Sequence, residues 1–208
     1  DHGFNNLSTY GNLLRLMHEG KIPHNEWEAH FYSLAIQISG AVQASRWTHL
    51  PEGGFICSFN GPHSLFVDTI RSCRILVASH LMGHSLHGEG DRKISLLERA
   101  LQHIEATAKY SIYYGEGRDH YDIWGRTAHE TIFNTNDGQF RCPNAQQGYT
   151  GFSTWTRGLA WGMLGFAEEL EALELVNSDE LTALGGFDKI EEMMLKGAKA
   201  TCDFYIEH

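Results

Sequence analysis

The sequence has few basic residues and lacks long apolar runs. Lysine and arginine number 16 against 26 aspartates and glutamates in 208 residues, for a formal net charge of −10. This balance repels a phosphate backbone and argues against nucleic acid as the main partner. Charged residues interrupt the apolar stretches 65–67 and 75–78, so no segment approaches the roughly 20 apolar residues of a membrane-spanning helix. We expect a soluble protein without a membrane partner.

Paired cysteines and an N-terminal targeting signal are also missing. Cys57, Cys73, Cys142 and Cys202 are scattered and form no CxxC pair, in a chain far longer than small disulfide scaffolds. We therefore expect free, mostly buried thiols. The sequence begins at Asp1 without an initiator Met or a basic segment followed by an apolar one, which indicates a processed protein or a piece of a longer one. We expect a cytoplasmic location, or a periplasmic or secreted one if a signal peptide preceded Asp1.

Helical periodicity dominates what is present. Asn25, with Glu28 three residues later, has the pattern of a capping box that begins a helix. Apolar residues three and four apart predict six helices, mostly as antiparallel hairpins, near residues 5–18, 26–42, 63–82, 93–113, 153–175 and 188–205. Residues 48–63 are predicted to be irregular or extended. These patterns predict an all-α protein with little sheet.

The helical pattern breaks between residues 115 and 152. This stretch is rich in Gly, Asp, His and Asn, and a loop of this length inside a helical protein is more often functional than accidental. Asn136-Asp137-Gly138 predicts a turn between strands at 131–133 and 139–142.

One acidic residue stands in an apolar segment. Asp68 follows Leu65-Phe66-Val67, and partial burial of its carboxyl group would favour the protonated form, which suits a general acid. The alternative is structural, with Asp68 as a cap or as the ion-pair partner of Arg71 or Arg74. Spacing alone leaves both interpretations open.

A second candidate lies between residues 153 and 162. On a helix, Arg157 and Trp161 share one face, while Gly158, Gly162 and Gly165 allow another helix or a ligand to approach closely. A planar cation beside an aromatic plane suits a sugar ring that bears a carboxylate. An arginine lying over a core tryptophan is the structural alternative.

Three histidines offer a rival hypothesis. His80, His84 and His87 would share one face if their helix continued, and three imidazoles can hold zinc. Gly83 and Gly88 indicate instead that the helix ends there. A metal site is therefore the weaker hypothesis.

A longer motif resembles a known family. Gln147-Gly148-Tyr149, followed by Ser153-Thr154-Trp155-Thr156-Arg157-Gly158 and Ala160-Trp161-Gly162, resembles the signature of glycoside hydrolase family 88, the unsaturated glucuronyl hydrolases. The order and approximate spacing of the family's elements agree from residue 1 to about residue 167. The resemblance implies an (α/α)6 toroid, of which residues 1–208 would be an incomplete portion of a single catalytic domain that lacks N- and C-terminal hairpins.

The resemblance also implies site residues. Asp68 stands where the family has its catalytic aspartate, and Asp1, in Asp1-His2-Gly3-Phe4, where it has a second active-site carboxylate. Residues implied to bind substrate are His129, Gln147, Trp155, Arg157, Trp161 and Phe59, the last at a position where a sugar-stacking Trp is usual. No metal or organic cofactor is implied.

The implied reaction removes a 4,5-unsaturated uronic acid from the non-reducing end of oligosaccharides made by polysaccharide lyases. The C4=C5 vinyl ether is hydrated, in contrast to direct displacement at the anomeric carbon. Two alternatives stay open: an unsaturated rhamnogalacturonyl hydrolase with the same chemistry, and a helical toroid that binds uronate oligosaccharides without turnover.

Overall fold

The computed structural model of the chain describes residues 3–208 as α-helices connected by short strands and loops. The helices are α1 (Gly3–Asn6), α2 (Asn12–His18), α3 (Glu26–Ser45), α4 (Cys73–Leu81), α5 (Leu96–Tyr110), α6 (Thr156–Leu173), α7 (Ser178–Ala183) and α8 (Phe187–Glu207). The strands are β1 (Trp47–His49), β2 (Gly54–Ile56), β3 (Ser64–Phe66), β4 (Leu86–His87), β5 (Lys93–Ile94), β6 (Glu130–Phe133) and β7 (Phe140–Asn144). A π-helical turn joins α1 to α2, and a 3-10 helix, Val67–Ser72, precedes α4.

The predicted helical hairpins are present. Helix α2 packs on α3, and the Asn25 side chain accepts a hydrogen bond from the Glu28 backbone N–H at 3.1 Å, as the capping pattern predicts. Helix α3 packs on α4, α4 on α5 and α6, and α6 on α8. One continuous apolar core joins the 3-10 helix with α4, α5, α6 and α8. The prediction of a mainly helical fold is confirmed.

The prediction of a helix over residues 63–82 was wrong for the first half of this range. Residues 64–66 form β3, which pairs antiparallel with β6, and β6 pairs with β7 in the predicted hairpin. The ladder continues where the Val67 backbone N–H donates to the His129 carbonyl at 3.0 Å. Pairing with a strand more than sixty residues away overrides the local periodicity, which favours a helix.

Other helix boundaries differ by a few residues. The predicted helix 93–113 begins at Leu96, because Lys93–Ile94 pairs with Leu86–His87 and the Ser95 side chain caps the helix at the Glu98 N–H. Helix α6 begins at Thr156, and the short helix α7 was not predicted. Residues 48–63 were predicted to be irregular or extended, and most of the β1–β2 hairpin, residues 47–56, lies within this range.

One apolar face of α3 is only partly covered. Trp27, Phe31, Leu34, Ile38 and Val42 follow one another at helical spacing and remain exposed in the described part of the chain. Contiguous exposed apolar surface of this kind is typical of a packing or interaction face.

The four cysteines are free, as predicted, but only Cys73 is fully buried. Cys57 and Cys202 are half-buried and Cys142 is exposed, so the expectation of mostly buried thiols holds only in part. Burial raises the pKa of the Cys73 thiol well above its usual value. Within residues 3–208, no helix is long and apolar enough to cross a lipid bilayer.

Glu169 is an unusual member of the core. It is fully buried on α6, and neither of its carboxylate oxygens has a hydrogen bond of normal geometry among residues 3–208. Burial raises its pKa well above the usual value and the Glu168 charge adds to the rise, while the Arg74 guanidinium and backbone N–H oppose it. Burial therefore favours the protonated form of Glu169 in the folded protein.

We expect Glu169→Gln to raise stability at pH 7–8 by about 1 kcal/mol or more and to change little at pH 4. In the unfolded chain this carboxyl ionises above about pH 4.5, whereas in the folded state it stays neutral. Stability is thus lost as pH rises from that value towards the raised pKa. Thermal unfolding of both proteins across this pH range measures the effect.

Glu168→Gln is the matched control for this experiment. Glu168 binds Arg71 at 2.9 Å and Arg74 at 3.2 Å, so its neutralisation should destabilise the protein. If Glu169→Gln stabilised the protein no more at pH 8 than at pH 4, Glu169 would not be the protonated buried acid described above.

Candidate active site

Asp68 lies on the 3-10 helix, and the glycine face of α6 holds this helix close. A methyl group at Gly165 would overlap Ile70, and one at Gly162 would lie 3.5 Å from Val67. Val67 and Ile70 are buried, whereas the Asp68 side chain keeps 23% of its surface exposed. The close approach predicted from the glycines is thus made by the segment that carries Asp68.

His129 lies beside Asp68, with its Nε2 3.8 Å from the Asp68 Oδ1 atom. Its Nδ1 accepts hydrogen bonds from the backbone N–H groups of Gln146, at 3.1 Å, and Gln147, at 3.4 Å. Since Nδ1 is an acceptor, the proton of the neutral ring is on Nε2, the nitrogen that faces Asp68.

Aromatic rings enclose the His129 imidazole. The centroid of Trp155 lies 4.4 Å from it and that of Phe66 4.8 Å. Burial lowers the pKa of His129; the charges of Asp68 and Glu130 oppose this shift, and that of Arg157 adds to it. The net effect favours a neutral imidazole at neutral pH.

Arg157 links two other predicted residues. Its guanidinium lies over the Trp155 ring, 4.7 Å from the centroid, and donates a hydrogen bond to Gln147 Oε1 at 2.8 Å. The sequence placed Arg157 on one helical face with Trp161, but the aromatic ring that it stacks on is Trp155. Residue 155 immediately precedes α6, where the extended backbone turns its side chain towards His129.

Trp161 has different neighbours. Its ring contacts the Arg71 guanidinium, at 4.7 Å from the centroid, and the Phe4 ring at 5.5 Å. Arg71 also forms a two-pronged ion pair with Glu168, at 2.9 and 3.0 Å. Trp161 therefore packs against the segment that carries Asp68.

Phe59 stands at the edge of the group. It is 69% exposed and packs edge-on against Phe66 at 5.3 Å, and Phe66 in turn contacts His129. The structure thus brings together Asp68, His129, Gln147, Trp155 and Arg157, with Phe59 at the rim. Asp1 lies outside the described residues.

The zinc hypothesis for the three histidines was wrong. Helix α4 ends at Leu81, so His84 and His87 do not continue its face, and His80 Nε2 binds Glu180 Oε2 at 2.8 Å. Residues 3–208 contain no group of three or more potential metal ligands.

Glu130 is a site residue that the sequence did not reveal. Its carboxylate is 1% exposed and accepts four hydrogen bonds from neutral side chains. One oxygen accepts from Ser64 and, at 3.0 Å, from Asn60. The other accepts from Asn144 at 2.7 Å and from Gln146 at 3.4 Å. Glu130 therefore ties the loop before β3 to the segment after β7, and both segments flank His129.

The only hint of this role in the sequence is a charged residue at the start of a strand of otherwise uncharged residues, directly after His129. Its hydrogen-bond donors lie up to 70 positions away. Local patterns cannot identify them, because two separate segments of the chain supply them.

The charges around His129 predict how its pKa responds to substitution. We expect Asp68→Asn to lower the pKa of His129, because a nearby negative charge is lost, and Arg157→Gln to raise it, because a positive charge is lost. Titration of the His129 ring resonances by NMR measures both shifts.

Lys196→Gln removes an exposed charge that binds Glu116 at 3.0 Å, and it should leave this titration unchanged. Shifts of equal sign in Asp68→Asn and Arg157→Gln would contradict the arrangement.

No protein-family model and no curated protein sequence matches the chain. Several solved structures are similar to it. An unsaturated glucuronyl hydrolase specific for heparin aligns with 99% of this chain and 44% of its own, at 16% identity and a TM-score of 0.68. Another, from Bacillus sp. GL1 and responsible for degradation of glycosaminoglycan, aligns with 83% of this chain and 40% of its own, at 20% identity and a TM-score of 0.55.

A third, from Streptococcus agalactiae, aligns with 82% of this chain and 36% of its own, at 18% identity and a TM-score of 0.53. The chain therefore spans less than half the length of these solved structures. At such identities the similarity establishes the fold. The predicted architecture is confirmed at this level: the chain forms part of a helical toroid like that of the unsaturated glucuronyl hydrolases.

Proposed function

We propose that residues 1–208 form part of the single catalytic domain of a glycoside hydrolase that removes a 4,5-unsaturated uronic acid from the non-reducing end of an oligosaccharide. The observation that carries this proposal is the partly exposed Asp68 carboxylate, whose Oδ1 lies 3.8 Å from His129 Nε2, the ring nitrogen that carries the proton. Gln147 and Arg157, joined by a hydrogen bond, lie next to this pair and supply polar groups for a charged sugar.

The chemistry begins with protonation of the vinyl ether. Asp68 in its protonated form gives a proton to C4, and positive charge develops at C5 and the ring oxygen. Water adds to C5 and returns one proton to the Asp68 carboxylate. The C5 hemiketal opens to a ketone and leaves a hemiacetal at C1, which releases the aglycone with a free hydroxyl group. One water is consumed, and the anomeric configuration has little influence on the rate-determining chemistry.

We assign a role in this reaction to each residue that neighbours Asp68. Neutral His129 donates from Nε2 towards the attacking water or a ring hydroxyl, and it is held in this tautomer by two backbone N–H groups. We assign Arg157, which lies over the Trp155 ring, to the uronate carboxylate, because a guanidinium can bind a carboxylate through two N–H donors. Gln147 orients a ring hydroxyl. This reaction requires no metal or organic cofactor.

The two remaining aromatic residues differ in what they offer a sugar. Phe59 presents an exposed ring at the rim, so we assign it to stacking on the sugar next to the uronate. Trp161 already contacts Arg71 and Phe4, so we assign it chiefly to holding the Asp68 segment. We retain Asp1 as the second active-site carboxylate, because the family resemblance implies it.

The activity is tested with an unsaturated uronate disaccharide and the full-length protein. Loss of the C4=C5 bond removes its near-ultraviolet absorbance, and we expect this loss with glycosaminoglycan- or alginate-type substrates. Faster turnover of pectin-derived substrates would favour the rhamnogalacturonyl alternative. Binding of the disaccharide without any loss of absorbance would reject a catalytic role and favour the non-catalytic toroid.

We expect Asp68→Asn to lower kcat by about 10²–10⁴-fold, because the variant cannot donate or accept the proton. The same absorbance assay measures it, with circular dichroism to show that the fold survives. Asp188→Asn makes the same chemical change at an exposed position in the first turn of α8 and should leave kcat unchanged. Retained activity in Asp68→Asn would remove Asp68 from the acid role.

A further inference from the structure

A polar cavity of about 380 Å³ lies beside the β1–β2 hairpin, at the N-terminal end of α5. Its lining includes the cationic residues Arg92, Lys93 and Arg99, the indole of Trp47 and one carboxylate, that of Glu98. We call this space the Arg99 cavity. It has no role in the reaction proposed above.

Arg99 is a buried cation that forms no ion pair with a carboxylate among residues 3–208. It is 9% exposed, donates a hydrogen bond to the Ala44 carbonyl near the end of α3, and lies 4.5 Å over the Trp47 ring. In the described part of the chain, no carboxylate oxygen lies within 4.0 Å of the side-chain nitrogens of Arg92, Lys93 or Arg99. A buried charge without a counter-ion is costly, and an anionic ligand would compensate that cost.

The local charge has the opposite sign to the whole chain. Three cations and one carboxylate leave an excess of two positive charges in the cavity, whereas the chain carries −10. The Glu98 carboxylate accepts a hydrogen bond from Gln102 at 3.1 Å, so part of its acceptor capacity is already used. Burial lowers the pKa of Arg99 and the Arg92 charge adds to this shift, while the Glu98 charge opposes it.

We propose that the Arg99 cavity binds a tetrahedral oxyanion, phosphate or sulfate, either free or as an ester on a sugar. An anion of charge −2 matches the excess positive charge of the cavity. Guanidinium groups bind such oxygens through paired N–H donors, and Trp47 holds the plane of the Arg99 guanidinium in one orientation.

This cavity is separate from the candidate active site. It adjoins the start of α5, whereas the residue after the end of α5, Ser111, accepts a backbone hydrogen bond at 2.8 Å from Ala128, the neighbour of His129. Helix α5 has 15 residues, which corresponds to roughly 20 Å between its ends. The proposal therefore does not depend on the proposed hydrolase activity.

The test measures binding by two readouts at constant ionic strength, with chloride as the reference anion. Inorganic phosphate and sulfate should raise the unfolding temperature along a saturable curve, because a ligand of the folded state stabilises it by mass action. The indole N–H resonance of Trp47 should shift along the same curve, since Trp47 stacks on Arg99.

A double variant, Arg92→Gln with Lys93→Gln, should raise the dissociation constant by roughly tenfold or more, because two charge-assisted contacts are lost. The matched control is Lys109→Gln with Lys196→Gln, which removes two exposed cations paired with Glu52 and Glu116. The control should bind phosphate as the unchanged protein does.

The source of the anion is resolved by ligand choice. If glucose 6-phosphate or glucose 6-sulfate binds more tightly than the inorganic ions, the natural ligand is an ester. If these esters bind equally or more weakly, the natural ligand is the free anion. Glucose is the neutral control. A linear response without saturation, a stationary Trp47 resonance, or equal binding by the two double variants would each overturn the proposal.

Discussion

The close contact between the 3-10 helix Val67–Ser72 and α6 determines the rest of the candidate site. Glycines on α6 leave no side chain between the two segments, and Gly165 in particular has no room for a methyl group beside Ile70. On its other side, the Val67 backbone N–H extends the β3–β6 ladder to the His129 carbonyl. A residue held between a helix and a strand in this way has little freedom, so Asp68 and His129 keep a defined separation.

The polar groups behind the site follow the rule that a buried charge needs hydrogen-bond partners. Glu130 meets it with four neutral donors, which makes a carboxylate in the strand tolerable and fixes two loops to one point. Glu169 lacks such a set of donors among residues 3–208, and burial raises its pKa well above the usual value. The donors that surround each glutamate thus decide how the fold tolerates its burial.

Much of the helical framework could be predicted from local patterns. The cap at Asn25, the ends of α8 within a few residues and the hairpin turn at 136–138 depend on neighbours close in sequence, and they agree with the structure. Strand β3 could not be predicted in this way, because its partner β6 lies beyond an intervening pair of helices. The stacking of Arg157 on Trp155 was missed for a related reason: a residue that immediately precedes a helix does not follow the helical spacing.

The sequence alone determined which residue types are available for chemistry: an aspartate after an apolar run, a histidine eighteen positions before Gln147, and an arginine within a glycine-rich helix. Local periodicity and turn residues also determined most of the helices, since these depend on interactions over a few positions. Only the tertiary structure decided which of these residues meet, which nitrogen of His129 carries the proton, and that Glu130 joins the loops around it. Those outcomes depend on hydrogen bonds and charges between segments far apart in the chain, and such contacts exist only after the helices and the sheet have packed.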